Sequence, residues 1–251
     1  AFEPFLLSYR DVNTRWRDMQ YWTDGPRYAL PVWVNWFTGK DYAVSRVIEP
    51  AQVSESQAGT LRLVNMEFPY DFRAGRPPKD IQLKMTVTGR VTYSMTLERP
   101  DGRSLTYQKS TTSTGAQEVR ISVDQNLRER VFQMLSSSED AATAASKNPK
   151  QIPAVPELFG EAKPGVLSTP AVLNGMYTLK VQVALNSTES HVEGAAVLVA
   201  GGVSGLLGTD GQKRDLWSGL IAGTKWALIS GLVTSLISVV NEGRSSARGI
   251  A

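Results

Sequence analysis

Asp210, Arg214 and Asp215, inside the run GTDGQKRD at residues 208–215 of this 251-residue chain, are a cluster that could be read as catalytic. Two carboxylates beside a guanidinium are raw material for general acid–base chemistry. The same trio also suits a tight turn leading into a helix. Aspartate accepts hydrogen bonds from the free amides of a first helical turn, and its charge complements the positive end of the helix dipole. A long apolar run follows residue 215, so the turn-and-cap reading is the one adopted. The second group is His191, flanked by Glu189 and Glu193. It is the sole histidine, and there is no cysteine. That composition excludes a thiol nucleophile, cysteine-ligated zinc and a multi-histidine metal site. His191 is therefore read as a surface or edge-strand residue. GAAVLVAGGVSGLLG at 194–208 is glycine-rich without the Gly-x-Gly-x-x-Gly spacing of a phosphate loop. Asn186-Ser187-Thr188 fits a glycosylation acceptor and is expected to be silent. No catalytic, cofactor-binding or metal-ligating residue is expected, and the chain is read as a non-enzyme.

The totals limit the partners. With 27 basic and 24 acidic residues interspersed and a net charge of +3, no nucleic-acid-binding stripe stands out. Hydrophobic residues at 41% and charged residues at 20% permit a packed core. The length suits one large domain or two small ones. A cysteine-free chain is at ease in an oxidising compartment. Ala1–Leu7 has no basic stretch and is too short for a signal peptide, and the absent starting Met points to a removed upstream segment.

The elements that must position the Asp210–Asp215 group divide by periodicity. Residues 1–40 are aromatic-rich, with Trp16, Trp22, Trp33 and Trp36 among them. These rings suit core packing, or the level of lipid headgroups, where amphipathic aromatics are favoured. Gly25, Pro26 and Pro31 break regular structure, leaving a short helix around Asn13–Trp22. From Thr60 the period becomes two: TLRLVNMEF, IQLKMTVTG, VTYSMTLERPDG, SLTYQKSTT and EVRISVD alternate as half-buried strands do. Pro100-Asp101-Gly102 marks a turn. Asp124 or Asn126 can cap a helix through NLRERVFQMLSSS. The small, proline-punctuated stretch after it reads as a short helix and a loop, with RAGRPPK a further solvated basic loop. MYTLKVQVALN and HVEGAAVLVAG return to strand alternation. The fold class expected is mainly β, an antiparallel sheet or sandwich with a few short helices, followed by one C-terminal membrane-type α-helix.

The C-terminal helix is the most informative element. From Leu216 to Val240 the only charged residue is Lys225, and Trp226–Val240 has none. About 20 residues cross a bilayer core. The 25-residue stretch is long enough and its uncharged part is short, so a buried amphipathic helix is the competing reading. Gly219, Gly223 and Gly231 favour lipid. Each would cost about 1 kcal/mol against alanine in a soluble helix, whereas in a membrane such residues allow close helix approach.

LGTDGQKRDLWSGLIAGTKWALISGLVTSLIS resembles the start of the core membrane region in permease subunits of dipeptide/oligopeptide/nickel-type ABC importers. That family has Gly-Thr-Asp-x-x-Gly-Arg-Asp before a helix patterned like SRLIYGARISLLVGLLAVLIS. Gly208, Thr209, Asp210, Arg214 and Asp215 match, as do Ser218, Leu220, Ile221, Gly223, Leu228, Gly231, Leu232, Leu236, Ile237 and Ser238. Lys213 departs from the family's glycine. EPFLLSYRDVN and DGPRYALPVWVNWF are similar to stretches just after the family's first membrane helix. The polar tail NEGRSSARGIA departs from the family, which continues into another apolar stretch.

The resemblance implies the region between the first and second membrane helices plus the second helix. On that basis 1–50 is an aromatic juxtamembrane segment, 51–207 an extracytoplasmic β-rich domain, 208–240 the motif and transmembrane helix, and 241–251 a polar tail. Implied partners are a second permease subunit, separate ATPase subunits, an extracytoplasmic solute-binding protein and membrane lipid. The implied location is the inner membrane, with the bulk of the chain outside the cytoplasm. The alternative is a membrane-anchored β-sandwich that binds glycan or protein as an adhesin.

Overall fold

The computed structural model describes residues 9–23, 25–58, 61–111, 114–187 and 189–248. The first eight residues, which carry part of the N-terminal likeness, lie outside them, as do Asp24 and Thr188. Two compact units form: Val32–Ser204, and Ala1–Pro31 together with Gly205–Ala251.

The first unit is a β-sandwich. Its strands among the described residues are β1 (Arg46–Ile48), β2 (Gln52–Ala58), β3 (Leu61–Phe72), β4 (Asp80–Thr88), β5 (Val91–Glu98), β6 (Ser104–Thr111), β7 (Gly115–Arg120), β8 (Gly175–Leu185) and β9 (His191–Ala200). They form a four-stranded sheet, β1-β9-β4-β7, and a five-stranded sheet, β2-β3-β8-β5-β6, with antiparallel neighbours throughout. The alternation read from the sequence selects the buried face. Even-numbered residues of β3 (Val64, Met66, Phe68, Tyr70, Phe72) and odd-numbered residues of β4 (Ile81, Leu83, Met85, Val87) and β5 (Val91, Tyr93, Met95, Leu97) enter one shared core. Tyr177, Leu179, Val181, Val183 and Leu185 of β8 join them. Each such apolar side chain contributes about 1.5–3 kcal/mol on burial. At the Pro100–Gly102 turn Gly102 takes φ 81°, and the buried Arg99 guanidinium binds Asp101 and the Gly160 carbonyl at 3.0 and 2.6 Å.

The helices that accompany the sheets include α3 (Gln125–Ser136), α4 (Ala141–Ser146) and α5 (Ala154–Leu158). Asp124, rather than Asn126, caps α3, its Oδ1 accepting from the amides of Asn126 and Leu127. Leu127, Val131 and Leu135 then face the core. The stretch after α3 covers the sandwich. Phe159, just past α5, is fully buried with its ring 4.8 Å from Phe72 and 4.4 Å from Tyr177.

One local expectation is corrected. The N-terminal helix α1 spans Tyr9–Arg17 instead of Asn13–Trp22, because residues 18–23 fold back in turns and the Trp22 indole donates to the Arg15 carbonyl. An unexpected single turn, α2 (Val34–Thr38), ends at Gly39 in the left-handed region. Residues 32–50, grouped from sequence with the juxtamembrane segment, lie in the sandwich unit, where β1 pairs with β9.

The second unit contains α1 and the long helix α6 (Leu216–Arg248). Leu216–Val239 is long and apolar enough to cross a membrane, and only 6% of its apolar window is buried. At 1.5 Å per residue these 24 residues span about 36 Å against a hydrocarbon core of about 30 Å.

Candidate functional site

The residues singled out at 208–215 form a continuous clasp at the start of α6. Gly208 has φ 78°, and a Cβ there would collide with the Ala29 carbonyl, so only glycine fits. Thr209 is buried. Its hydroxyl donates to the Pro26 carbonyl at 2.6 Å and accepts from the Ala29 amide at 3.0 Å, while its own amide donates to the Ala29 carbonyl. The Tyr28 amide donates to the Asp210 carbonyl at 3.2 Å. The chain at 26–29 is thus bound to the turn by four hydrogen bonds.

Asp210 organises the turn itself. Its Oδ1 accepts from the amides of Gln212 and Arg214 at 2.8 and 2.9 Å. Its Oδ2 takes the Arg214 guanidinium through Nε and Nη2, both at 2.6 Å. Burial alone would raise this carboxyl's pKa. The Arg214 amide and guanidinium and the Gln212 amide outweigh burial and hold it below the usual carboxylate range. Asp215 caps α6: its Oδ2 accepts from the Ser218 amide and hydroxyl at 3.2 and 2.6 Å. A cap of this kind contributes about 1 kcal/mol. Both carboxylates accept from donors of their own turn, the geometry of a closed turn at Asp210 and of a helix cap at Asp215.

Lys213 lies at φ 67°, a conformation that non-glycine residues adopt at a cost of about 1–2 kcal/mol. Its Nζ donates to the Thr23 carbonyl at 2.7 Å. The backbone at this position is therefore one that favours glycine.

The four tryptophans separate. Trp16 of α1 rests against Gly219, where a Cβ would collide with its ring, and the Arg214 guanidinium sits 4.5 Å above it. Trp22 meets Trp16 edge-on at 5.8 Å. Trp16 holds α1 to the first turn of α6, and Trp22 packs on Trp16. Trp33 and Trp36, in the other unit, are exposed. A groove of about 540 Å³ beside the start of α6 is lined by Trp16, Leu220, Ala222, Gly223 and Trp226.

His191 is exposed. Its Nε2 lies 3.9 Å from Glu193, and Nδ1 lies 3.2 Å from the Glu189 carbonyl. Among the described residues no three His, Asp or Glu side chains converge as a metal site would require. Glu157 is a buried carboxyl that no sequence pattern singles out. It is 1% exposed, and burial pushes its carboxyl up to about 7, with Lys147 opposing and Glu139 adding to the rise. Its place among Ala154, Val155 and Leu158 gives no alternation that would mark it.

No family model matches the chain, and no curated protein matches it. Solved structures are similar at a low level. A chain from a chaperone–tip adhesin complex of CFA/I fimbriae biogenesis is 10% identical, with a TM-score of 0.22, over 62% of this chain and 42% of its own. TmCBM61 in complex with β-1,4-galactotriose is 11% identical, with a TM-score of 0.19, over 66% of this chain and 90% of its own. The enzymatically active domain of bacteriophage CBA120 tailspike protein 4 is 9% identical, with a TM-score of 0.21, over 64% and 18%. This chain thus spans less than half of the first and third. Likenesses of that size carry no argument about function.

Proposed function

We propose that this chain is the extracytoplasmic part of a permease subunit of an ABC importer of the dipeptide/oligopeptide type, joined to the membrane helix α6. One observation supports the reading above others. Gly208, Thr209, Asp210, Arg214 and Asp215, the residues of the family-like motif, each make a backbone-defining contact at the start of a helix whose apolar surface is uncovered. Leu228, Leu232 and Leu236 are 66, 65 and 57% exposed. A helix of this composition in water would forfeit its main driving force, whereas lipid satisfies it.

On this reading the chain performs no chemistry. The sandwich docks a solute-binding protein and helps pass a peptide-like solute toward the pore, and ATP hydrolysed by separate subunits drives transport. The clasp keeps the loop at 26–29 fixed to the helix start. Gly223 and Gly231, where an added Cβ would meet nothing within 4 Å, let a neighbouring membrane helix approach closely.

The test is isolation of the full-length gene product from its native membrane in mild detergent, with its companions identified by mass spectrometry. The proposal expects a second permease-type subunit and an ATPase to accompany it. A membrane-anchored adhesin brings neither, and that result would overturn the proposal.

A further inference from the structure

The turn α2 carries Trp36 and Phe37 with each side chain 79% exposed, and Trp33 beside them at 41%. Trp33 and Phe37 meet edge-on, their ring centroids 6.1 Å apart, and Trp36 is carried on the same turn, so three aromatic residues lie together on one short, exposed ridge. The ridge is held firmly. Asn35, between the rings, donates to the Tyr42 carbonyl and accepts from the Tyr42 amide, both at 2.9 Å. Tyr42 is in turn covered by the Arg76 guanidinium at 5.0 Å, and the Arg76 amide donates to the Asp41 carbonyl. A protein that leaves two large rings in water on a rigid turn exposes surface whose burial is worth several kcal/mol.

Chain length says where the ridge can be. Ala29 is bound to Thr209, seven positions before the first residue of α6. Trp33 follows Ala29 by four residues, so even a fully extended connection spans only about 14 Å, and the helical turn to Phe37 adds about 6 Å. The rings therefore stay within about 20 Å of the clasp that starts the membrane helix. Headgroup regions occupy the outer 5–8 Å or so of each leaflet. Aromatic rings partition there, and the exposed Lys40, three residues beyond Phe37, suits the phosphates at that level.

We infer that Trp33, Trp36 and Phe37 form a wedge that enters the lipid headgroup layer, giving the sandwich unit its own attachment to the membrane surface. The inference rests on α6 being a membrane helix. Trp16 and Trp22 take no part, since Trp16 holds α1 and Trp22 packs on Trp16.

The chain has no cysteine, so single-cysteine variants of the full chain each carry one environment-sensitive fluorophore. Phe37→Cys reports the wedge, Leu232→Cys the helix and Lys150→Cys an exposed sandwich position. Each is reconstituted alone into phosphatidylcholine/phosphatidylglycerol liposomes, then exposed to aqueous iodide or to lipids quenching at headgroup or acyl depth. The label at 37 is expected to lose intensity to the headgroup-depth quencher and resist iodide. The label at 232 should answer to the acyl-depth quencher, and that at 150 to iodide. If 37 behaves like 150 while 232 stays in lipid, the wedge is wrong and the membrane helix stands. If 37 resists iodide without lipid quenching, another protein copy covers it and the wedge is equally wrong. If 232 meets iodide, the membrane reading fails and the wedge with it.

Discussion

Lys213 shows how a single backbone angle ties a motif to its structure. Its positive φ is imposed by the turn that Asp210 closes around Gln212 and Arg214, and lysine tolerates that angle poorly. Lys213→Gly is expected to raise stability by up to about 1 kcal/mol despite the loss of the exposed bond to Thr23, read as a higher midpoint of thermal unfolding in detergent. A lower midpoint would mean that the Nζ contact outweighs the backbone strain. Glu157 gives a pH-dependent counterpart. Burial pushes its carboxyl up to about 7 in the fold, against about 4.5 for the free side chain, so the folded state binds the proton more tightly than the unfolded state. The neutral side chain's contribution is fully present below about pH 4.5, falls as pH rises toward 7, and stays lost above it, on the order of 3 kcal/mol in all. Glu157→Gln should flatten that part of the stability profile between pH 5 and 8. An unchanged slope would show that Glu157 is already ionised in the fold.

At the scale of elements, α6 carries two kinds of glycine. A Cβ at Gly219 would meet the Trp16 ring, whereas one at Gly223 or Gly231 would meet nothing within 4 Å. Gly223→Leu should therefore leave the isolated subunit folded yet reduce its recovery with a partner permease subunit, measured by co-purification. Equal recovery would remove Gly223 from any helix–helix interface. The strands show what is legible in sequence and what is not. β3, β4, β5 and β8 each bury one face, so their alternation is printed in the residues. β2 escapes a sequence reading because its described residues are exposed on both faces, which leaves QVSESQA without a period. β1 escapes it because three residues cannot establish one. The clasp is legible as a turn and cap from Asp210 and Asp215, but its grip on residues 26–29 is not. Contacts across 180 positions leave no local pattern, and Pro26 and Ala29 contribute only backbone groups.

At the scale of the molecule, sequence and structure meet on the same architecture: an antiparallel sandwich and, among the described residues, one apolar helix that the fold leaves uncovered. The proposal adds a direction, placing the sandwich outside the cytoplasm and the helix in lipid. The most direct measurement is labelling of single-cysteine variants in intact cells with a membrane-impermeant maleimide, before and after lysis. Lys150→Cys on the sandwich is predicted to label fully before lysis, and Leu232→Cys in the helix to resist the reagent in both states. Labelling of Lys150→Cys only after lysis, or free labelling of Leu232→Cys, would contradict the account.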